Sequence, residues 1–255
     1  MELSKNKKIF FASDQHFGAP TLEASKKREK YFIAWLEAIA PQAQALYLLG
    51  DLFDFWVEYK KVVPKGHVRI LGKLAQLVDA GLHIEYFVGN HDLWMKGYFE
   101  EELGIAVHHQ PQEMQWNKTT FLVGHGDGLG PGDWGYKQMK KVFTNPLAQA
   151  LFRAIPSRWG ISLGQYLSLK NKLISGQEAP QFLGEKKEWL VQYCLEKQQE
   201  KQRDYYIFGH RHLPLNIPLT QGANYLNLGD WLSHNTYAVF DGTTTELKTW
   251  TSPND

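Results

Sequence analysis

Cysteine is nearly absent from this chain: Cys194 stands alone among 255 residues, so no intramolecular disulfide can staple the fold. A lone thiol fits a reducing cytoplasm and excludes metal sites built from several thiolates. Long apolar runs are missing too. No stretch approaches the roughly 18 consecutive apolar residues that span a bilayer, and the N-terminal MELSKNKKIFFASD has too short an apolar run for a secretory signal. Any contact with a membrane is therefore expected to be peripheral. An excess of charge of one sign is also lacking, since 28 basic and 27 acidic residues leave a net +1. Nucleic acid is then not the default partner, and charge has to be argued locally. No fixed-period repeat is visible.

What is present is a series of short apolar runs, each stopping at a polar cluster. Residues 8–13 (KIFFAS) stop at Asp14-Gln15-His16, residues 45–49 (ALYLL) at Gly50-Asp51-Leu52-Phe53-Asp54, and residues 83–88 (HIEYFV) at Gly89-Asn90-His91-Asp92. Residues 119–123 (TTFLV) lead to Gly124-His125-Gly126-Asp127, and residues 205–208 (YYIF) to Gly209-His210-Arg211-His212. Such runs predict buried strands. Helical spacing separates the early ones: Tyr31, Phe32, Trp35, Leu36 and Ile39 share a face, as do Val68, Leu71, Leu74, Leu77 and Val78. This alternation predicts a largely parallel α/β sheet, in which polar residues just past the strand carboxyl ends converge on one crevice. From Asn224 onward, residues 237–240 and 246–250 read as further strands and a hairpin.

Imidazole nitrogen, carboxylate oxygen and the asparagine amide oxygen are donors that Mn, Fe and Zn all accept. Asp14, His16, Asp51, Asn90, His125, His210 and His212 make seven candidate ligands. That is too many for one tetrahedral ion but suits two ions sharing a carboxylate, for which Asp51 is the obvious choice. Which ion His210 and His212 would each serve is open, because two residues apart they share a face if extended and diverge if the chain turns. Two ions roughly 3.5 to 4 Å apart acidify a water and clamp the attacking and leaving oxygens of a phosphoryl displacement. His91, beside Asn90, is then free to stabilise phosphoryl charge or protonate the leaving oxygen. Asp54, Asp92 and Asp127, just behind the ligands, are expected to orient imidazoles. A DxH or GHxH alone occurs by chance, but here five of ten histidines fall inside these motifs, and each motif follows an apolar strand. The other five, His67, His83, His108, His109 and His234, read as surface or satisfied core residues.

The ordered set DQH, GDLFD, GNHD, GHGD and GHRH, spanning residues 14–212, resembles the calcineurin-like metallophosphoesterase superfamily. The resemblance implies a four-layer αββα fold, with one ion held by Asp14, His16, Asp51 and His212 and the other by Asp51, Asn90, His125 and His210. Within the superfamily, LYLLGDLFDFW, VGNHD and GHGDGLGPGDWGY are similar to the UDP-2,3-diacylglucosamine pyrophosphatases of lipid A biosynthesis. That family cleaves its nucleotide-sugar substrate to UMP and 2,3-diacylglucosamine 1-phosphate, using Mn. By resemblance, a helical cap at 130–185 is inserted into a single domain covering 1–255, and Asp133 and Tyr136 join Asn90 and His91 near substrate. One departure stands out: many of those enzymes carry Arg where this chain has His91, the residue general to the superfamily.

The insertion has a character of its own. Residues 134–177 hold seven basic side chains (Lys137, Lys140, Lys141, Arg153, Arg158, Lys170, Lys172) and no acidic one. Trp134, Phe143, Leu147, Leu151 and Trp159 are interleaved with them, and Pro146 and Pro156 break the stretch into short helices. Basic amphipathic helices lie on anionic membranes, and an acylated, pyrophosphate-bearing substrate accounts for greasy and basic content together. A plainer reading is a cap whose apolar face packs on the sheet while its lysines are solvated. A surface for RNA or DNA has no accompanying motif. Three functions compete: a lipid A pyrophosphatase at the inner face of the inner membrane, a soluble phosphodiesterase or nucleotide pyrophosphatase acting on a small molecule, and a non-catalytic scaffold. Intact ligand types at every motif argue against the last.

Overall fold

The computed structural model describes residues 1–132, 134–175, 181–182 and 184–252, with the backbone alone over 169–175. The chain begins β1 (Lys8–Ala12), α1 (Leu22–Ile39), β2 (Ala43–Leu48), α2 (Val68–Asp79), β3 (His83–Phe87), α3 (Tyr98–Leu103) and β4 (Ala106–His108). It continues β5 (Gln112–Trp116), β6 (Thr119–Val123), α4 (Trp134–Phe143), α5 (Pro146–Ala154) and α6 (Ser157–Ser175). The last part is α7 (Trp189–Glu200), β7 (Tyr205–Phe208), β8 (Pro214–Pro218), β9 (Asn224–Leu228), β10 (Thr236–Phe240) and β11 (Thr245–Thr249).

The single, largely parallel sheet expected from strand-helix alternation is in fact two mixed sheets. One has the order β11-β10-β1-β2-β3-β4 and the other β5-β6-β7-β9-β8. Parallel pairing joins β1 to β2 to β3 to β4 and β6 to β7 to β9, while β10, β11, β5 and β8 run antiparallel to their neighbours. Strands buried on both faces read as continuous apolar runs whether they belong to one sheet or two, so periodicity could not separate the cases.

Side-chain alternation then builds the layers. Ile9 and Phe11 of β1, with Ala45 and Tyr47 of β2, point into a cluster that meets Phe121, Val123, Ile207, Leu226 and Phe240 between the sheets. Their neighbours Phe10, Ala12, Leu46 and Leu48 point the other way, onto Phe32, Trp35, Leu36 and Ile39 of α1 and Ile70, Leu71 and Leu74 of α2. Beyond the second sheet, Leu122, Tyr206, Phe208 and Tyr225 pack on Leu190, Val191 and Cys194 of α7. Three apolar seams therefore hold four layers in the αββα order, and Cys194 is a buried, free thiol in the third. Thr21 caps α1, its hydroxyl accepting from Ala24 N at 3.2 Å.

Helices α4–α6 follow β6. Asn145 caps α5 by accepting from Leu147 N and Ala148 N at 2.9 and 3.2 Å, and Pro146 occupies its first turn. Neither α4 nor α5 has a buried residue, and Trp134, Leu147, Leu151 and Trp159 are 74, 69, 65 and 70% exposed. Only part of this apolar surface is covered: Trp94 meets the rings of Phe152 and Phe143 at 4.4 and 6.1 Å and donates to the Phe143 carbonyl at 2.8 Å. Among the described residues no helix is long and apolar enough to cross a membrane.

Candidate metal centre

The five motif-bearing strands end on the rim where the two sheets meet. Just past those ends the backbone takes an uncommon course: Asp14, His16, Asp51, His210 and His212 all have positive φ, between 47° and 67°. The left-handed region is disfavoured for side-chain-bearing residues and, where it persists, marks functional positions. Two glycines make the convergence possible. A Cβ on Gly89 would collide with the Asp51 carboxylate, and one on Gly209 with the Asp14 carboxylate and Ser13.

Each buried carboxylate spends one oxygen on a backbone N–H and turns the other to imidazoles. Asp14 Oδ2 accepts from His210 N at 3.0 Å, while Oδ1 lies 3.2 Å from His212 Nε2 and 3.7 Å from His16 Nε2. Asp51 Oδ1 accepts from His91 N at 2.8 Å, while Oδ2 stands 3.4 Å from His125 Nε2 and 3.7 Å from His16 Nε2. Asn90 Oδ1 is 3.2 Å from His125 Nε2 and 2.8 Å from His210 Nδ1. All seven side chains singled out by their motifs thus stand in one continuous cluster, with Asp51 between its two ends.

The surroundings hold these groups in place. His125 Nδ1 donates to the Leu49 carbonyl at 2.7 Å, which turns Nε2 toward the cluster. Asp54 Oδ1 approaches His16 Nδ1 to 3.5 Å without hydrogen-bonding it, and the Asp54 carbonyl accepts from His91 Nδ1 at 2.7 Å. Asp92 and Asp127 do otherwise than the sequence suggested. Asp92 accepts from Gly89 N at 2.6 Å and from the Tyr86 hydroxyl, so it fixes the GNHD turn and not an imidazole. Asp127 accepts from the Tyr136 hydroxyl and from Lys140 Nζ at 2.6 Å, tying α4 to the GHGD loop. Tyr136 sits 6.3 Å, ring to ring, from His210, and Asp133 lies outside the described residues.

Sequence reasoning missed Asp230, whose Oδ2 is 3.3 Å from His212 Nδ1 and whose Oδ1 accepts from Leu232, Ser233 and His234 backbone N–H groups. The signal was available: Gly229-Asp230 follows β9 as Gly50-Asp51 follows β2. It also missed Arg28, which donates to the carbonyls of Gln15, His16 and Ala19 and clamps the DQH turn. Arg211, between the paired histidines, forms a two-pronged bridge to the buried Glu188 at 2.8 and 2.9 Å. Ser168 of α6 reaches Asp54 and His91 from outside every motif.

Electrostatically the cluster is built to hold positive charge. Burial pushes the Asp51 and Asp14 carboxyls up, but His125 beside the first and His212 beside the second hold both far below the usual carboxylate range. Burial likewise disfavours the charged imidazoles, yet Asp51 raises His125 to about 10, and Asp14 with Asp230 raises His212 to about 10. His210, desolvated and facing His125, is pushed down to about 4. Asp14 Oδ1 is buried and accepts no hydrogen bond, an arrangement that a cation would satisfy. Asp14, His16 and His212 offer donor atoms within 4.8 Å of one another, as do Asp14, Asp51 and His125, and His16, Asp51 and His91. The nitrogen and oxygen donors present therefore fit divalent cations.

Buried N/O donors at the carboxyl ends of parallel strands, in a four-layer αββα sandwich, define a metal-dependent phosphohydrolase. The profile of the calcineurin-like phosphoesterases matches residues 7–216, and the chain belongs to that family. Its relatives are more particular. It is 38% identical to the UDP-2,3-diacylglucosamine hydrolase of Porphyromonas gingivalis over 254 residues, covering 94% of this chain and 97% of that protein. It is 30% identical to the protein of that name from Ectopseudomonas mendocina over 203 residues (78% and 82% covered), and 28% identical to that from Serratia proteamaculans over 226 residues (87% and 90% covered).

Proposed function

We propose that the chain hydrolyses the pyrophosphate of UDP-2,3-diacylglucosamine to UMP and 2,3-diacylglucosamine 1-phosphate, a step of lipid A biosynthesis, at the inner face of the inner membrane. The names of the relatives support the substrate. The observation that carries the reading is the placement of α4–α6, apolar, cationic and free of acidic residues, directly beside the donor cluster through Tyr136 and Lys140 on Asp127 and Ser168 on Asp54. A small diester has no use for such a surface. A diacylated nucleotide sugar needs both its greasy and its basic parts.

In this reading residues 130–185 act as a cap on a single domain covering 1–255. One divalent ion is assigned to Asp14, His16, Asp51 and His212 and the other to Asp51, Asn90, His125 and His210, with Mn first in order and Fe or Zn after it. When bound, the two ions clamp the phosphoryl oxygens and acidify the attacking water. Asp51 orders the centre because its free oxygen faces both halves while its other oxygen fixes the His91 backbone. His91, held at Nδ1 by the Asp54 carbonyl, is assigned to protonate the leaving oxygen. Asn90, Asp133 and Tyr136 line the substrate with it. The exposed Trp134, Leu147, Leu151 and Trp159, interleaved with lysines, fit a peripheral contact with anionic lipid.

The test is incubation of the Mn-loaded protein with UDP-2,3-diacylglucosamine and chromatography for UMP. UMP should form, and deacylated UDP-glucosamine should be cleaved roughly 100-fold more slowly, because remote binding energy is lost. Absence of UMP would overturn the proposal. Equal cleavage of both substrates would favour the soluble nucleotide pyrophosphatase instead.

A further inference from the structure

We propose that Ser168, on the inserted helix α6, is a positioning residue that aims His91, so that seating the insertion and assembling the proton donor are one event. The inference rests on the reading of His91 as the donor to the leaving oxygen. Ser168 is 9% exposed. Its hydroxyl lies 2.8 Å from the Asp54 carbonyl and 2.9 Å from Asp54 Oδ2, and its Oγ is 3.1 Å from His91 Nδ1. The single hydroxyl proton is best spent on the carboxylate, because a charge-assisted hydrogen bond is the stronger one. The Asp54 carbonyl then remains for His91 Nδ1–H at 2.7 Å. One hydroxyl thus pins Asp54, on whose carbonyl His91 registers.

The helix can deliver that hydroxyl only because of what precedes it. Gly160, Gly164 and Ser168 are spaced by four and form one stripe along α6. A Cβ at Gly160 would overlap the Tyr59 hydroxyl, and one at Gly164 the Phe55 ring. The two glycines let the α6 backbone lie against the segment that carries Asp54, and the third position of the stripe supplies the polar group. No sequence motif contains Ser168, and the apolar insertion gives no other reason for a buried hydroxyl there.

In the chemical step the water oxygen bonds to phosphorus as the bond to the leaving oxygen breaks. The leaving oxygen takes the proton from His91 Nε2, and a proton released by the water returns the imidazole to its starting state. An acidic leaving group needs no such proton, whereas a weakly acidic one does. Two aryl phosphodiesters of matched shape, one releasing p-nitrophenol and the other phenol, therefore isolate the donor, and both are too small to need the insertion for binding.

The Mn-loaded full chain is assayed as Ser168→Ala, His91→Ala and the double variant. Ser168→Ala should lower kcat about tenfold on the phenyl ester and less than about twofold on the p-nitrophenyl ester, with KM and bound metal unchanged. Adding Ser168→Ala to His91→Ala should cost nothing more. Ser168→Thr, which keeps the hydroxyl, should retain the wild-type ratio between the esters. That ratio is taken on one preparation, so partial misfolding cancels. If His91→Ala discriminates between the esters and Ser168→Ala slows both equally, Ser168 only packs and the proposal fails. If His91→Ala itself shows no discrimination, the donor reading fails with it.

Discussion

Loading the centre with divalent cations should release about two protons at neutral pH. Asp51 Oδ2 and His125 Nε2 are 3.4 Å apart, which at an effective dielectric near 20 corresponds to about 5 kcal/mol of attraction. Burial takes part of that back, and the net effect leaves His125 near 10, as Asp14 and Asp230 leave His212 near 10. Both folded pKa values lie above neutrality, so both imidazoles keep their protons throughout the neutral range. Each must lose its proton to present a lone pair, at about 4 kcal/mol per imidazole at pH 7. His210, pushed down to about 4, is already neutral and contributes none. Apparent affinity for each ion should therefore climb roughly tenfold per pH unit between pH 6 and 8, the product for the pair roughly 100-fold, and both level off only near pH 10. Isothermal titration of chelator-stripped protein with Mn, in buffers of different ionisation enthalpy, counts the protons directly. A count near zero at pH 7, or an affinity flat across that range, would refute the reasoning.

Chelation should abolish hydrolysis and Mn restore it, and Asp51→Ala should cost more bound metal by elemental analysis than Asp14→Ala or His125→Ala, because its free oxygen faces both halves of the cluster. His91→Ala should lower turnover on the order of 10²-fold or more while metal content stays at the wild-type level; loss of an ion would show that His91 had been given the wrong role. Asp230→Asn should weaken metal binding by roughly 10- to 100-fold in competition with a chromophoric chelator, since the group that orients His212 is lost. Lys141→Glu and Arg158→Glu, both exposed, should each weaken binding to anionic vesicles by about 1 kcal/mol, more at low salt. Lys140 and Arg153 are poorer probes because they are tied to Asp127 and to the Glu58 carbonyl. Unchanged vesicle binding in both exposed variants would remove the membrane reading.

The parts of the centre that could be read from sequence were those that local order encodes. An apolar strand that stops at a short polar cluster announces its own end, and all seven candidate ligands stand in such clusters. Residues whose role depends on another element's approach were not legible. Asp92 looks like Asp54 in the sequence, and only the Tyr86 hydroxyl and Gly89 N–H decide that it braces a turn. Ser168 and Arg28 act across 114 and about 12 residues of chain respectively, inside patterns that read as ordinary amphipathic helix. The division into two sheets was hidden for a similar reason. Phe10 and Phe11 are equally apolar, yet one faces α1 and the other the opposite sheet.

The five left-handed residues at the strand ends bear on how such a chain is kept. Each non-glycine residue in that region costs about 1–2 kcal/mol, so Asp14, His16, Asp51, His210 and His212 together forfeit roughly as much as the net stability of a typical domain, ~5–15 kcal/mol. Five of the nine non-glycine residues with positive φ among the described residues stand on this rim, which makes it a concentrated point of local strain. Exchanging any of the five for glycine would relieve that strain but would remove a donor atom. All five instead carry donor atoms turned to a common centre, so the strain sits where the ligand set is assembled.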